Sequence, residues 1–280
     1  MPAGSGPPVA TPPSTPAAPG QLVALTANLQ NPYARPGRVD PQALLGRLET
    51  FARLVESEGA GVVLCQEVGR GRDFRVEEWL AARLGMAAVY QRANGDAERL
   101  GREEGLAILS RYPLSAPVTC LLGGGLWRRP ALGAVVDSPL GKVAVYTAHL
   151  SLRPWRNRRQ PRRLREWVES TAGVRPAIIG GDFNTHETAP QMAALREAWV
   201  DAFRAMHPTG DGATHELRLF GRVVSRRRLD YLFLTQQHPK FRVVICDPSR
   251  LDESFSDHRV VVGVFKRGRG SGETRSFCIA

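Results

Sequence analysis

Long apolar runs are missing from this 280-residue chain. None approaches the roughly 18 residues of a membrane-spanning helix, so no integral membrane segment is expected. Cysteine is scarce, and Cys65, Cys120, Cys246 and Cys278 share no metal-ligand or redox spacing. That excludes a cysteine-built metal or redox centre. Cys278, in the ending Cys-Ile-Ala, stands one place too late for a prenylation signal. No glycine fingerprint for a dinucleotide is present, and no internal repeat recurs at a fixed period. Residues 1–20 are almost entirely Pro, Ala, Gly, Ser and Thr, without the charged start and apolar stretch of a signal peptide. They are expected to form a disordered leader. Residues 268–280 are expected to form a flexible Gly-rich tail. Four thiols without a secretory signal fit a reducing cytoplasm as the expected compartment.

Positive charge is abundant and concentrated. The net charge is +11, and Arg153, Arg156, Arg158, Arg159, Arg162, Arg163 and Arg165 supply seven positive charges within 13 residues. Smaller clusters are Arg128-Arg129 and Arg226-Arg227-Arg228. Two readings stand: a grip on a polyanionic partner, or a solvated helix face. Charge alone does not choose among nucleic acid, anionic lipid and solubility.

Local patterns outline one domain over residues 21–267. A strand over 21–29 is followed by a helix over 41–58, with Asp40 as its N-cap and Pro41 in its first turn, and then by a strand over 62–66. A helix over 77–84 precedes a series of β-like runs at 87–91, 106–110, 115–122, 131–137 and 143–149. The arginine-rich stretch reads as helical, and 177–179 as a strand. A helix over 190–198 and strands over 230–234, 241–246 and 259–265 close the chain. Gly123-Gly-Gly125 reads as a turn, and 207–227 as a loop. Many hairpins with few helices predict an α/β (α+β) four-layer sandwich, in which two mixed sheets pack face to face with helices outside.

Six short segments each join an apolar run to a carboxylate, amide or imidazole. They are Ala24–Asn28, Val62–Glu67, Val143–His149, Ala177–Asn184, Arg228–Leu234 and Ser256–His258. Their polar residues fall where a strand leaves the core, which predicts one site assembled from strand ends. Asn, Glu, Asp and His suit a hard divalent cation with oxygen ligands, accompanied by acid–base imidazoles.

In this order the segments resemble the endonuclease/exonuclease/phosphatase superfamily, which includes deoxyribonuclease I, exonuclease III, neutral sphingomyelinases and inositol polyphosphate 5-phosphatases. The residues that carry the likeness are Asn28, Gln66-Glu67, Glu104 with Gly-Leu-Ala-Ile-Leu-Ser-Arg111, and Thr147-Ala-His149. Gly181-Asp-Phe-Asn184, Arg228-Leu-Asp230-Tyr and Ser256-Asp257-His258 complete it. The resemblance spans about residues 21–266 and implies a Mg²⁺ ion, with Mn²⁺ as the alternative, held at Glu67 with help from Asn28 and with Asp257 beside it. It further implies that Asp182 orients and activates the attacking water while Asn184 donates to the phosphoryl oxygens. His258 acts at the phosphate with Asp230 fixing its tautomer, and His149 pairs with Glu104, or with Glu103 as the alternative, as a second acid or hydrogen-bond donor. His186 has a place either at the cleft or in loop packing; His207, His215 and His238 are assigned no role.

The likeness also separates branches. Tyr146-Thr-Ala-His149 stands where abasic endonucleases carry Tyr-x-Pro-Asn, and the lysine-bearing motifs of inositol phosphatases are missing. The expected activity is Mg²⁺-dependent hydrolysis of a phosphodiester, with nucleic acid as substrate gripped by Arg156, Arg158 and Arg159. Trp155 suits either base stacking or packing. The rival is a sphingomyelinase-type lipid phosphodiesterase or phosphatase meeting a membrane through arginines and Trp127 or Trp155. A silent binding module is the remaining class, and the complete acid, amide and imidazole set argues against it.

Overall fold

The structure, a computed structural model, describes residues 20–34, 39–123, 127–220, 222–235, 241–249 and 254–267. Residues 1–19 of the expected leader, the whole 268–280 tail, Gly124-Gly125 and His238 lie outside the described residues.

The opening unit follows its sequence closely. Strand β1 (Gln21–Asn28) leads to helix α1 (Pro41–Ser57), where the Asp40 side chain accepts from the Gln42 amide at 2.9 Å. Leu44, Leu48, Phe51 and Val55, at helical spacing, are the buried face. Then come β2 (Val62–Arg70), α2 (Val76–Leu84), β3 (Ala87–Asp96), the single turn α3 (Ala97–Leu100) and β4 (Arg102–Ser110). Strands β5 (Leu114–Gly123), β6 (Arg129–Ser138) and β7 (Gly141–His149) form a meander. The arginine-rich stretch divides into α4 (Pro154–Asn157) and α5 (Gln160–Ala172) and feeds β8 (Ala177–Asp182). The final third contains α6 (Ala193–Ala198), β9 (Trp199–Asp201), α7 (Ala202–Met206), the hairpin β10 (His215–Leu219) and β11 (Arg222–Arg227), then β12 (Asp230–Thr235), β13 (Phe241–Pro248) and β14 (Val261–Arg267).

Two six-stranded mixed sheets result, ordered β13-β14-β1-β2-β4-β3 and β5-β6-β7-β8-β12-β9. Leu22, Leu64, Ile108, Val145, Ile178 and Leu232 fill the space between them. Outside the first sheet α1 and α2 cover a second core, and outside the second sheet α5 and α6 cover a third. The expected four-layer sandwich is therefore present. The chief departure lies in 207–227, which reads as loop yet holds the β10–β11 hairpin. That hairpin forms a separate two-stranded sheet with Leu217, Leu219, Phe220, Val223 and Val224 exposed. Its apolar residues do not alternate toward a core, so the usual strand signal is weak.

Glycine lets the sheets close beneath the site. A Cβ on Gly180 would stand 2.7 Å from Leu64 Cδ1 and 2.9 Å from Thr26 Cβ of the opposite sheet. One on Gly181 would meet the Ala148 carbonyl oxygen at 2.1 Å. Gln66 Nε2 clasps the sheets by donating to Thr26 Oγ1 at 2.9 Å and to Thr147 Oγ1 at 2.8 Å. Gly181→Ala should accordingly destabilise the chain by about 1–3 kcal/mol, as overpacking does. Urea denaturation should show a lower midpoint at unchanged slope. An unchanged midpoint would mean that the β7–β8 backbone yields freely.

Candidate active site

Strand register brings the candidate residues together. In the second sheet, β7 runs parallel to β8 with His149 opposite Asp182, and β12 runs antiparallel to β8 with Asp230 opposite Asp182. Three functional side chains thus end one row on adjacent strands. From the first sheet comes Asn28, at the end of β1. Glu67 follows from a β-bulge: pairing with β4 passes from Cys65–Ala107 to Val68–Gly105. Glu67 adopts φ +51°, a left-handed conformation uncommon outside glycine. A bulge of this kind re-aims a side chain, here toward the sheet rim.

Hydrogen bonds then join the sheets. Asn28 Nδ2 donates to Glu67 Oε1 at 3.2 Å and to Asp182 Oδ2 at 3.1 Å, while its Oδ1 accepts from the Gln30 amide. The Asn31 amide donates to Glu67 Oε2 at 3.1 Å. Asn28 therefore positions two carboxylates. Its oxygen accepts one hydrogen bond and keeps a second lone pair. Asn184, also left-handed at φ +51°, donates from its backbone to Asp182 Oδ1 at 2.8 Å and from its side chain to the Leu150 carbonyl at 3.0 Å.

His258 Nδ1 lies 2.8 Å from Asp230 Oδ2, which also accepts from Thr214 Oγ1 at 2.6 Å. The carboxylate thereby fixes the ring and leaves Nε2 as its free nitrogen. Burial would lower the pKa of His258, but the charge and hydrogen bond of Asp230, with Asp182 and Asp257 nearby, raise it to about 10. His149 goes the other way: burial first, then the charges of Arg129 and His258, hold it well below the ordinary histidine value. Asp182 is raised, first by burial and next by Asp230. The two imidazoles are thus sorted at neutral pH, His258 cationic and His149 neutral.

Glu67, Asp182, Asn184, Asp257 and His258 line a cleft of about 660 Å³. One placement departs from the expectations. His149 Nε2 stands 3.6 Å from Asp182 Oδ2 and 4.0 Å from Glu67 Oε1, and no ion pair joins it to Glu104 among the described residues. Glu104 instead lies beside Asn31, Glu67 and Arg129; burial, followed by the charge of Glu67, lifts it to about 7. Asp257 lines the same cleft as Glu67, and its carboxylate clusters with His215 and His258. Among the described residues, Glu67 belongs to no group of three converging metal-ligand atoms. A Mg²⁺ ion needs no such cage, because it keeps several waters and takes one or two protein carboxylates. The donors present, Glu67 and neighbouring carboxylate oxygens with no thiolate, fit that ion.

The arginine segment follows His149 along the rim. Buried Asn157 ties it to the Asp182–Asn184 turn, donating to the carbonyls of Ser151 and Phe183 at 2.8 Å each. Arg162 and Arg165 pair with Glu166 and Glu169, and Arg163 donates to the Leu122 carbonyl. Arg158 and Arg159 are exposed and Arg156 is half-buried; none of the three forms an ion pair among the described residues. None of the three lines the cleft. Arg228, grouped by sequence with Arg226 and Arg227, is buried and paired with Glu187 and Asp201, so it serves the fold. His186 bonds locally to Thr188. Sequence reasoning missed Thr214, His215 and Arg47, whose guanidinium binds the carbonyls of Leu29, Gln30 and Phe255. Only the fold brings these residues to the strand ends, and nothing local announces them.

The profile described as the Endonuclease/Exonuclease/phosphatase family matches residues 25–258. Among solved structures, an endonuclease/exonuclease/phosphatase from Beutenbergia cavernae DSM 12333 is similar at 26% identity and TM-score 0.68, covering 89% of this chain and 72% of that one. The human Nocturnin catalytic domain with bound sulfate anion has 17% identity and TM-score 0.68, covering 88% and 94%. A humanized D. rerio TDP2 has 16% identity and TM-score 0.67, covering 88% and 99%. No curated protein sequence matches this chain.

Proposed function

The chain belongs to the endonuclease/exonuclease/phosphatase family, and on that premise we propose that it is a Mg²⁺-dependent phosphodiester hydrolase acting on nucleic acid. The observation that carries the reading is the link from Glu67 through Asn28 to Asp182, made across two sheets in the cleft that also receives His258. Glu67 would hold Mg²⁺, with Mn²⁺ as the alternative, and the ion would neutralise charge on the phosphoryl oxygens. Asp182 orients the attacking water and takes its proton, a role that its raised pKa suits. Asn184 gives up the Leu150 carbonyl to donate to a phosphoryl oxygen. His258 is the proton donor to the leaving oxygen, because Asp230 keeps it protonated. Neutral His149 acts as a hydrogen-bond donor near Asp182 and Glu67. Two groups whose surroundings push their pKa values apart are the signature of divided acid and base roles.

Arg156, Arg158 and Arg159 would hold neighbouring phosphates. Replacing all three with Gln should weaken polynucleotide binding similarly across sequences and reduce the log–log salt slope by roughly 0.7 to 0.9 per lost contact. Hydrolysis of bis-nitrophenyl phosphate, which reaches the cleft but not the rim, should stay within about twofold, the scale of surface changes away from a site. An unchanged salt slope would remove the arginines from substrate binding.

A second reading, a sphingomyelinase-type lipid phosphodiesterase, is favoured by the β10–β11 hairpin. Its exposed Leu219, Phe220, Val223 and Val224 beside Arg222 and Arg226 suit an anionic bilayer surface. Loss of binding to anionic vesicles in a Phe220→Ser variant, with polynucleotide binding intact, would support it.

A further inference from the structure

His215 has no part in the reaction proposed above, yet the fold delivers it beside the catalytic imidazole. It opens β10, and a lone β-bridge pairs it with His258. The two rings lie 4.8 Å apart between centroids, and His215 Nε2 stands 4.0 Å from Asp257 Oδ2. Ligand atoms of His215, Asp257 and His258 all fall within 4.8 Å of one another.

We propose that His215, Asp257 and His258 form a second cation site, selective for a borderline transition ion of the Zn²⁺ class, distinct from the Glu67 position and inhibitory when filled. The donor chemistry comes first. Two imidazoles and one carboxylate suit Zn²⁺, Co²⁺ or Ni²⁺, whereas Mg²⁺ prefers oxygen donors and retained water. A support beyond the donors comes second. Imidazoles that bind metals usually give their other ring N–H to a carboxylate, and His258 Nδ1 already faces Asp230, itself anchored by Thr214. The ring is therefore set with Nε2 as the donor. Adaptability comes third. Ligands about 2.1 Å from a tetrahedral ion lie roughly 3.4 Å apart, so the atoms must draw in by about an ångström. Asp257 is half exposed and can swing, while the β-bridge holds both histidines in place. Three protein ligands leave the fourth position of a tetrahedral ion open to water.

The inhibitory part of the proposal rests on the hydrolase reading, since a coordinated His258 Nε2 is no longer available to the leaving group. Site and inhibition can be tested separately. With Mg²⁺ kept at millimolar concentration, the full chain is titrated with Co²⁺ and followed by visible d–d absorption. One ion per chain should bind with the intense absorption of low-coordinate Co²⁺. His215→Gln should weaken it by at least ~10- to 100-fold, the loss that even an outer-shell change brings. Glu67→Gln should leave Co²⁺ affinity within about twofold. Asp257→Asn provides the same test should His215→Gln fail to fold. Equal Co²⁺ affinity in the His215 or Asp257 variant would overturn the site. So would loss of the signal in Glu67→Gln, which would mean that Co²⁺ merely replaces Mg²⁺. In the second arm, Zn²⁺ should inhibit polynucleotide cleavage in a way that added Mg²⁺ does not relieve, and His215→Gln should need at least ~10-fold more Zn²⁺. A chain that binds Co²⁺ as described yet cleaves no phosphodiester would keep the site and sink the hydrolase reading alone.

Discussion

Glu67→Gln should lower kcat/KM by about a thousandfold or more, because an ion at a phosphoryl oxygen contributes several kcal/mol and each 1.36 kcal/mol is tenfold in rate. The amide preserves shape and keeps one acceptor oxygen, so it retains one of the two hydrogen bonds, from Asn28 and from the Asn31 amide, that now hold the carboxylate. What disappears is the anionic charge facing the cleft. Circular dichroism and thermal denaturation should match the parent, since Glu67 sits at a bulge on the rim and its neighbours Cys65, Gln66 and Val68 remain in the core. Raising Mg²⁺ should recover only part of the loss. Near-normal turnover at millimolar Mg²⁺ would sink the metal assignment.

Much of this site was legible before the fold was known. Asn28, Glu67, His149 and Asp182 each close an apolar run and Asp230 opens one, and a buried strand that meets a polar residue at the sheet rim leaves that pattern in any sequence. Their mutual placement depends on register, which local pattern does not encode. Glu104 shows the consequence: a two-residue bulge opposite Leu106 places it by Glu67 and Asn31 instead of His149. His215 was illegible for another reason. Its surroundings are polar and Gly-containing, and its importance arises from a single β-bridge to a residue 43 positions away. Arg228 misled in the opposite sense, since a run of three arginines reads as surface charge while one of them is buried against Glu187, Asp201 and Tyr231.

Asp182→Asn and His258→Ala should each reduce kcat by about 10²- to 10⁴-fold, the range for a positioned acid or base. The double variant should be little worse than the poorer single one, because the groups serve the same step. The pH profile provides an independent readout. Activity should rise as Asp182 loses its proton, on a limb above the ordinary carboxylate range because burial and Asp230 raise that group. It should fall again as His258 deprotonates, near pH 10. Asp182→Asn should abolish the acid limb and leave the alkaline one; His258→Ala should do the reverse. A double variant showing the full product of both losses, with both limbs intact in the single variants, would separate these residues from the chemistry.

The most direct measurement of the central claim is product release from five substrates, namely plasmid DNA, single-stranded DNA, RNA, sphingomyelin and phosphoinositides, with EDTA and then with Mg²⁺ restored. Cleavage of at least one polynucleotide that EDTA abolishes, that Mg²⁺ restores and that Glu67→Gln lacks is the predicted result. Turnover of the lipids alone, or polynucleotide cleavage indifferent to EDTA, would contradict it.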